Sequence, residues 1–132
     1  MKYLLDTNIC IYYFKGQFGL RERIEQIGYD QFAISEITIA ELIYGAQKSV
    51  HIERNMETVN SFVQRIAILP IFNTFELYGR EKSRLERLGT SISDFDFLIG
   101  ATAICNDLTI VTRNTREFQR LDNLKIENWV DK

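Results

Sequence analysis

Three acids in this chain of 132 residues stand where chemistry is usually placed: Asp6, Glu41 and Asp96. Asp6 ends the run Lys2-Tyr3-Leu4-Leu5 and is followed by Thr7 and Asn8. A short apolar run that stops at polar groups reads as a buried strand with a loop at its carboxyl end. In open parallel α/β sheets, ligands bind just beyond such ends. Glu41 falls on the first turns of a helix that follows a second short strand. Asp94 and Asp96 open the most apolar helix of the chain, ahead of a strand that closes on Thr112, Arg113 and Asn114. Three carboxylates in one concavity repel one another and stay ionised together only around a cation. Oxygen ligands of this kind suit hard divalent ions. The lone His51 lies among polar residues, and Cys10 and Cys105 form no CxxC pair. Mg²⁺ or Mn²⁺ is therefore expected ahead of Zn²⁺.

Each acid also has a purely structural use. Asp6 can cap the helix after it. Thr38-Ile39-Ala40-Glu41 has the pattern of a capping box, and Asp96 follows Ser93 at the same spacing. Acids favour the first turn of a helix in any case. Taken singly, capping explains each acid at least as well as chemistry does. Their shared placement at one end of a sheet favours chemistry for Asp6, Glu41 and Asp96. Asp94 is the weakest of the group, and Thr112 is most simply a strand-end hydroxyl. Tyr12, Tyr13 and Phe14 read as core and interface rather than as a base-stacking platform.

The elements that must position these residues alternate. Strands are expected at Lys2 to Leu5, Phe32 to Ser35, Ile66 to Leu69, Leu108 to Thr112 and Leu124 to Trp129. Between them, helical patterns run from Thr7 or Asn8 to Phe14, and from Leu20 to Ile27. Further ones surround Ile39 to Ala46 and span Glu53 to Arg65, Phe75 to Leu88, Asp94 to Asn106 and Thr115 to Leu121. In the helix ending near Leu88, Leu77, Leu85 and Leu88 are expected inside, with Arg80, Arg84 and Arg87 outside. Alternating strands and helices predict one α/β domain over residues 1–132, a central parallel sheet with helices on both faces.

Hydrophobic content of 45% and charged content of 26% are ordinary for a globular domain. No apolar stretch approaches the ~20 residues needed to cross a bilayer. The start has no charged-then-apolar signal pattern, so a cytoplasmic location and free thiols are expected. A net charge of −2 gives no global basic field. A nucleic-acid partner would have to be met by local cations or by metal.

Five segments then fall in order along the chain: Leu4-Leu5-Asp6-Thr7-Asn8, Ile37 to Gly45, Ile92 to Ala101, Ile110 to Phe118, and Glu127-Asn128-Trp129. Together they resemble the successive motifs of PIN-domain ribonucleases, and most closely the VapC toxins of bacterial toxin–antitoxin pairs. The resemblance covers essentially the whole chain without insertion. It implies a three-layer α/β/α fold and a Mg²⁺- or Mn²⁺-dependent endoribonuclease that leaves a 5′-phosphate. It also implies structured RNA substrates, tRNA anticodon loops among them, inhibition by a VapB-type antitoxin, and a homodimer. The family's three most constant acids fall on Asp6, Glu41 and Asp96. Its fourth acidic position falls on Asn114, which brings no charge. Arg80, Arg84, Arg113 and Arg116 are the expected phosphate contacts.

Rival readings are weaker. A PIN-like module with a decayed site, acting by RNA or antitoxin binding alone, rests on Asn114 and the acidic net charge. A receiver domain needs an acidic pair after its first strand, where this chain has Leu4 and Leu5 before Asp6. A haloacid-type phosphatase wants a second Asp at position 8, which is Asn8.

Overall fold

The computed structural model describes residues 1–131. Its five strands are β1 (Tyr3–Leu5), β2 (Phe32–Ser35), β3 (Ala67–Leu69), β4 (Thr109–Val111) and β5 (Lys125–Glu127). All neighbours are parallel, in the order β3-β2-β1-β4-β5. The chain builds outward from β1 through β2 to β3, then crosses back to place β4 on the other side of β1. The crevice between the carboxyl ends of β1 and β4 is thus a topological switch point, where ligands of open α/β sheets bind.

The helices are α1 (Thr7–Phe14), α2 (Leu20–Ile27), α3 (Glu36–Gln47), α4 (Ile52–Arg65), α5 (Phe75–Arg87), α6 (Asp94–Cys105) and α7 (Thr115–Phe118). Side chains alternate along each strand. Tyr3, Leu5, Phe32, Ile34 and Val111 join a core with residues of α1 to α4. Leu4, Ala33 and Ile110 join a second core with α5, α6 and α7. The result is the expected three-layer α/β/α domain. Among the described residues, no helix is long and apolar enough to cross a membrane.

Two of the strand-to-helix junctions have no loop at all. A single extended residue ends the strand and caps the helix: Asp6 before α1 and Ser35 before α3. Ser35 Oγ accepts from the Ile37 N–H at 3.1 Å. This displaces the expected capping box at Thr38 to Glu41, because α3 already begins three residues earlier. Ser93 does cap α6, accepting from the Asp96 N–H at 3.2 Å. Leu88 is a second correction: it is 67% exposed. It sits at the C-cap of α5, beyond the last helical turn and ahead of Gly89 in the left-handed region, so the helical phase no longer carries it inward.

Gly100 explains a close approach. A Cβ there would lie 2.5 Å from Leu121 Cδ1 and 3.4 Å from Phe118. Glycine therefore lets α6 settle against α7 and the segment after it, one turn beyond Asp96.

Candidate active site

Asp6 is 5% exposed, at the centre of the sheet's carboxyl edge. Its Oδ1 accepts from the Thr7 N–H at 2.8 Å, and its Oδ2 accepts from the Thr112 hydroxyl at 2.8 Å. Thr112 Oγ1 in turn accepts from the Asn114 N–H at 2.9 Å. The hydroxyl at the end of β4 thus fixes both the carboxylate of β1 and the backbone leading to α7. Thr7 Oγ1 donates to Glu41 Oε1 at 2.7 Å and lies 3.1 Å from Thr38 Oγ1. One buried threonine from α1 therefore orients the acid carried by α3.

The electrostatics tie the acids into one group. Burial is the largest influence on Asp6 and, with the charges of Asp96 and Glu41, raises its pKa from 3.8 to about 6 against the opposing Thr112 and Thr7 hydrogen bonds. The Asp96 pKa is also raised, first by burial and then by Glu41 and Glu117. Burial and the Asp6 charge push the Cys10 thiol well up, consistent with an inert buried thiol. All donors in the group are oxygens. A divalent ion relieves both the burial of charge and the mutual repulsion, so the residue set fits Mg²⁺ or Mn²⁺. Among the described residues, no three acidic, thiol or imidazole side chains stand close enough to hold one ion directly. A hard ion that keeps several waters and takes one or two carboxylates directly suits that spacing.

Asp94 points away from this group. Its Oδ1 accepts from Lys82 Nζ at 2.7 Å and from the Tyr78 hydroxyl at 2.9 Å, which ties α6 to α5. Arg84 is also used internally. It donates to both oxygens of the buried Glu81 and to the Arg120 carbonyl, and lies 3.5 Å from Asp122. Arg113 pairs with Asp131 at 3.2 Å and donates to the Tyr12 hydroxyl at 3.3 Å. Arg80 and Arg116 are exposed. Asn114 is half-buried at the start of α7, and its side chain makes no capping hydrogen bond.

One acid escaped the sequence reading. Glu117 lies near enough to Asp96 to raise its pKa. The signal was present: a helix that starts directly after Asn114 puts residue 117 one turn on, over the same sheet edge.

The family pattern described as the PIN domain matches residues 3–124. This chain belongs to the PIN-domain family. Its relatives are VapC ribonucleases. It is 40% identical over 131 residues to the tRNA(fMet)-specific endonuclease VapC of Shigella flexneri, covering 98% of both chains. It is 39% identical over 132 residues to ribonuclease VapC2 of Haemophilus influenzae, covering 98% of this chain and 99% of the relative. Among solved structures, the DNA-bound VapBC complex of Salmonella typhimurium contains a chain that matches with a TM-score of 0.89 at 37% identity, covering 98% of each. The PIN-domain chain of the present structure therefore has the fold, length and motif order of the VapC group throughout.

Proposed function

We propose that this PIN domain is a divalent-metal-dependent endoribonuclease of the VapC type, acting as a toxin held inactive by a VapB-type antitoxin. The observation that carries the reading is a buried Asp6 at the switch point, raised to about 6 by burial and by the nearby charges of Asp96 and Glu41.

Asp6, Glu41 and Asp96, with Glu117 beside them, are the residues to hold Mg²⁺ or Mn²⁺. When bound, such an ion polarises the scissile phosphate and acidifies a water. The protein's own share is orientation. Thr112 and the Thr7 N–H fix the two oxygens of Asp6, and the Thr7 hydroxyl fixes Glu41. Glu117, near enough to raise the Asp96 pKa, is the candidate to supply the charge that Asn114 does not. The substrate is structured RNA. The activity named for the Shigella relative makes initiator tRNA the first one to try.

Antitoxin binding has its own support in the VapBC complexes among the structural neighbours. A cleft of about 600 Å³ between α1, α3 and α4 runs from Glu41 past Phe14, Leu42 and Val59. An antitoxin segment laid there would reach the acids. Tyr44, on the rim of α3, is 66% exposed, whereas Tyr13 belongs to the core. The homodimer is part of the same proposal, supported by the exposed Phe72 and Phe75.

The test is cleavage of RNA by purified protein. Cutting that needs Mg²⁺ or Mn²⁺, stops in EDTA and stops on adding the neighbour-encoded antitoxin is expected. RNA binding without cleavage under all these conditions refutes the enzyme and leaves a binding module.

A further inference from the structure

Between α1 and α2 the chain makes a loop whose backbone is unusual. Gly16, Phe18 and Gly19 have φ of 68°, 59° and 66°. Glycine takes such angles freely, but for a bulky residue like Phe18 the left-handed region is unfavourable. The loop nevertheless presents Phe18 to solvent, 49% exposed. An aromatic side chain that is neither comfortable in its backbone nor buried in a core calls for another reason to be there.

Its surroundings supply one. The Phe18 ring meets Tyr12 edge to face, centroids 5.0 Å apart at 82°. The Arg113 guanidinium lies 5.6 Å from the Phe18 centroid and 5.9 Å from that of Tyr12. Asp131 and the Tyr12 hydroxyl hold Arg113 in place. Arg113 directly follows Thr112, whose hydroxyl binds the Asp6 carboxylate. Two aromatic rings and a guanidinium, all partly open to solvent, therefore stand at the edge of the acid group. Tyr12 packs against the core but is only half-buried, unlike its neighbour Tyr13, so part of its ring remains open beside Phe18.

We propose that Phe18, Tyr12 and Arg113 form a platform on which an unpaired base of the RNA stacks beside the bond to be cut. The inference rests on the ribonuclease reading above and extends it to how the strand is held. Aromatic rings and guanidinium planes are the usual partners of splayed-out RNA bases. Stacking reads ring area more than hydrogen-bond pattern, so the platform favours a purine over a pyrimidine and demands single-stranded RNA. Arg113 adds attraction to the flanking phosphate while it backs the rings.

The test uses the full chain carrying Asp6→Asn, so that RNA is bound but not cut. Fluorescein-labelled octamers of adenylate and of uridylate are titrated by anisotropy. The platform predicts tighter binding of the adenylate octamer. Phe18→Gly should weaken it on the order of tenfold and abolish the preference, by the usual worth of one stacked base. Phe18→Trp should restore both. The Phe18→Gly thermal midpoint should be unchanged or higher, because glycine relieves the backbone. Phe18→Asn, which also tolerates the left-handed region, serves if the glycine variant folds poorly. RNA affinity unchanged in Phe18→Gly or Phe18→Asn overturns the platform and leaves the ribonuclease reading standing. A variant that keeps RNA affinity but loses affinity for the antitoxin reassigns the platform to the protein partner, and overturns it equally. No RNA binding by the parent protein overturns both.

Discussion

Replacing Asp6 with Asn should stabilise the fold at neutral pH while ending cleavage. A carboxyl group moved from 3.8 to about 6 by folding disfavours the folded state once it is ionised. At 1.36 kcal/mol per pH unit, that is about 3 kcal/mol well above pH 6. Asparagine removes the charge but disturbs the hydrogen bonds from Thr7 and Thr112, a loss of about 1 kcal/mol. The net gain is about 2 kcal/mol at pH 8 in EDTA, or roughly 6–8 °C in midpoint for a domain of this size. The sign follows from the raised pKa. The wild type has its full stability below 3.8, where Asp6 is protonated in both states. It loses stability as pH rises towards 6 and reaches a plateau above. The advantage of Asp6→Asn should therefore be absent or reversed at pH 4, grow through pH 5 and 6, and level off above 7. Denaturant titrations of both proteins in EDTA at pH 4, 5, 6, 7 and 8 measure it. A difference that does not vary with pH, or a less stable Asp6→Asn at pH 8, would refute the buried, acid-crowded site.

Glu41→Gln and Asp96→Asn should each abolish RNA cleavage with the fold kept, whereas Asp94→Asn should cut at near wild-type rate, since Asp94 only ties α6 to Lys82 and Tyr78; gel assays on the purified variants decide. Thr112→Val keeps shape but removes the donor to Asp6 and the acceptor for the Asn114 N–H, so it should destabilise by about 1–3 kcal/mol in urea titrations and lower cleavage. Asn114→Asp should tighten Mn²⁺ binding without RNA and Glu117→Gln should weaken it; equal calorimetric isotherms for all three proteins would place neither residue against the ion.

The local parts of this fold could be read directly from the chain, and its long-range parts could not. Strands such as Leu4-Leu5 and Phe32 to Ser35 announce themselves as short apolar runs, and α6 by its apolar sequence between Ser93 and Asn106. Nothing local says that β4 pairs with β1 across more than a hundred residues, so the switch point had to come from the structure. The same distance explains the misreading of Arg84. Helical spacing puts it on an outer face, but the chain after α7 returns to cover that face with the Arg120 carbonyl and Asp122. Thr38 illustrates a different limit. Its capping pattern is genuine, yet Ser35 offers the same chemistry three residues earlier, where the strand actually ends. As candidates, Asp6 and Asp96 stand out in the sequence because one follows and the other opens an apolar element, whereas Glu41 lies inside α3 and stands out only by the motif around it. Glu117 was masked by Asn114, because the resemblance puts the fourth acidic position at the N-cap of α7, three residues before the acid whose charge reaches Asp96.

The bond between Thr112 and Asp6 joins positions 106 residues apart. During synthesis the first acid is made 106 residues before the hydroxyl that aligns it. Asp96 and Glu117 likewise follow it only after β1, β2 and β3 have been made. At roughly 5–20 residues per second, the gap between the two ends of the site is on the order of 10 s. A nascent chain therefore carries an unassembled site through that whole interval, and a chain broken off before β4 never completes one. The order of synthesis thus acts as a safeguard: the acid of β1 gains its partner hydroxyl only once β4 has emerged and docked beside it.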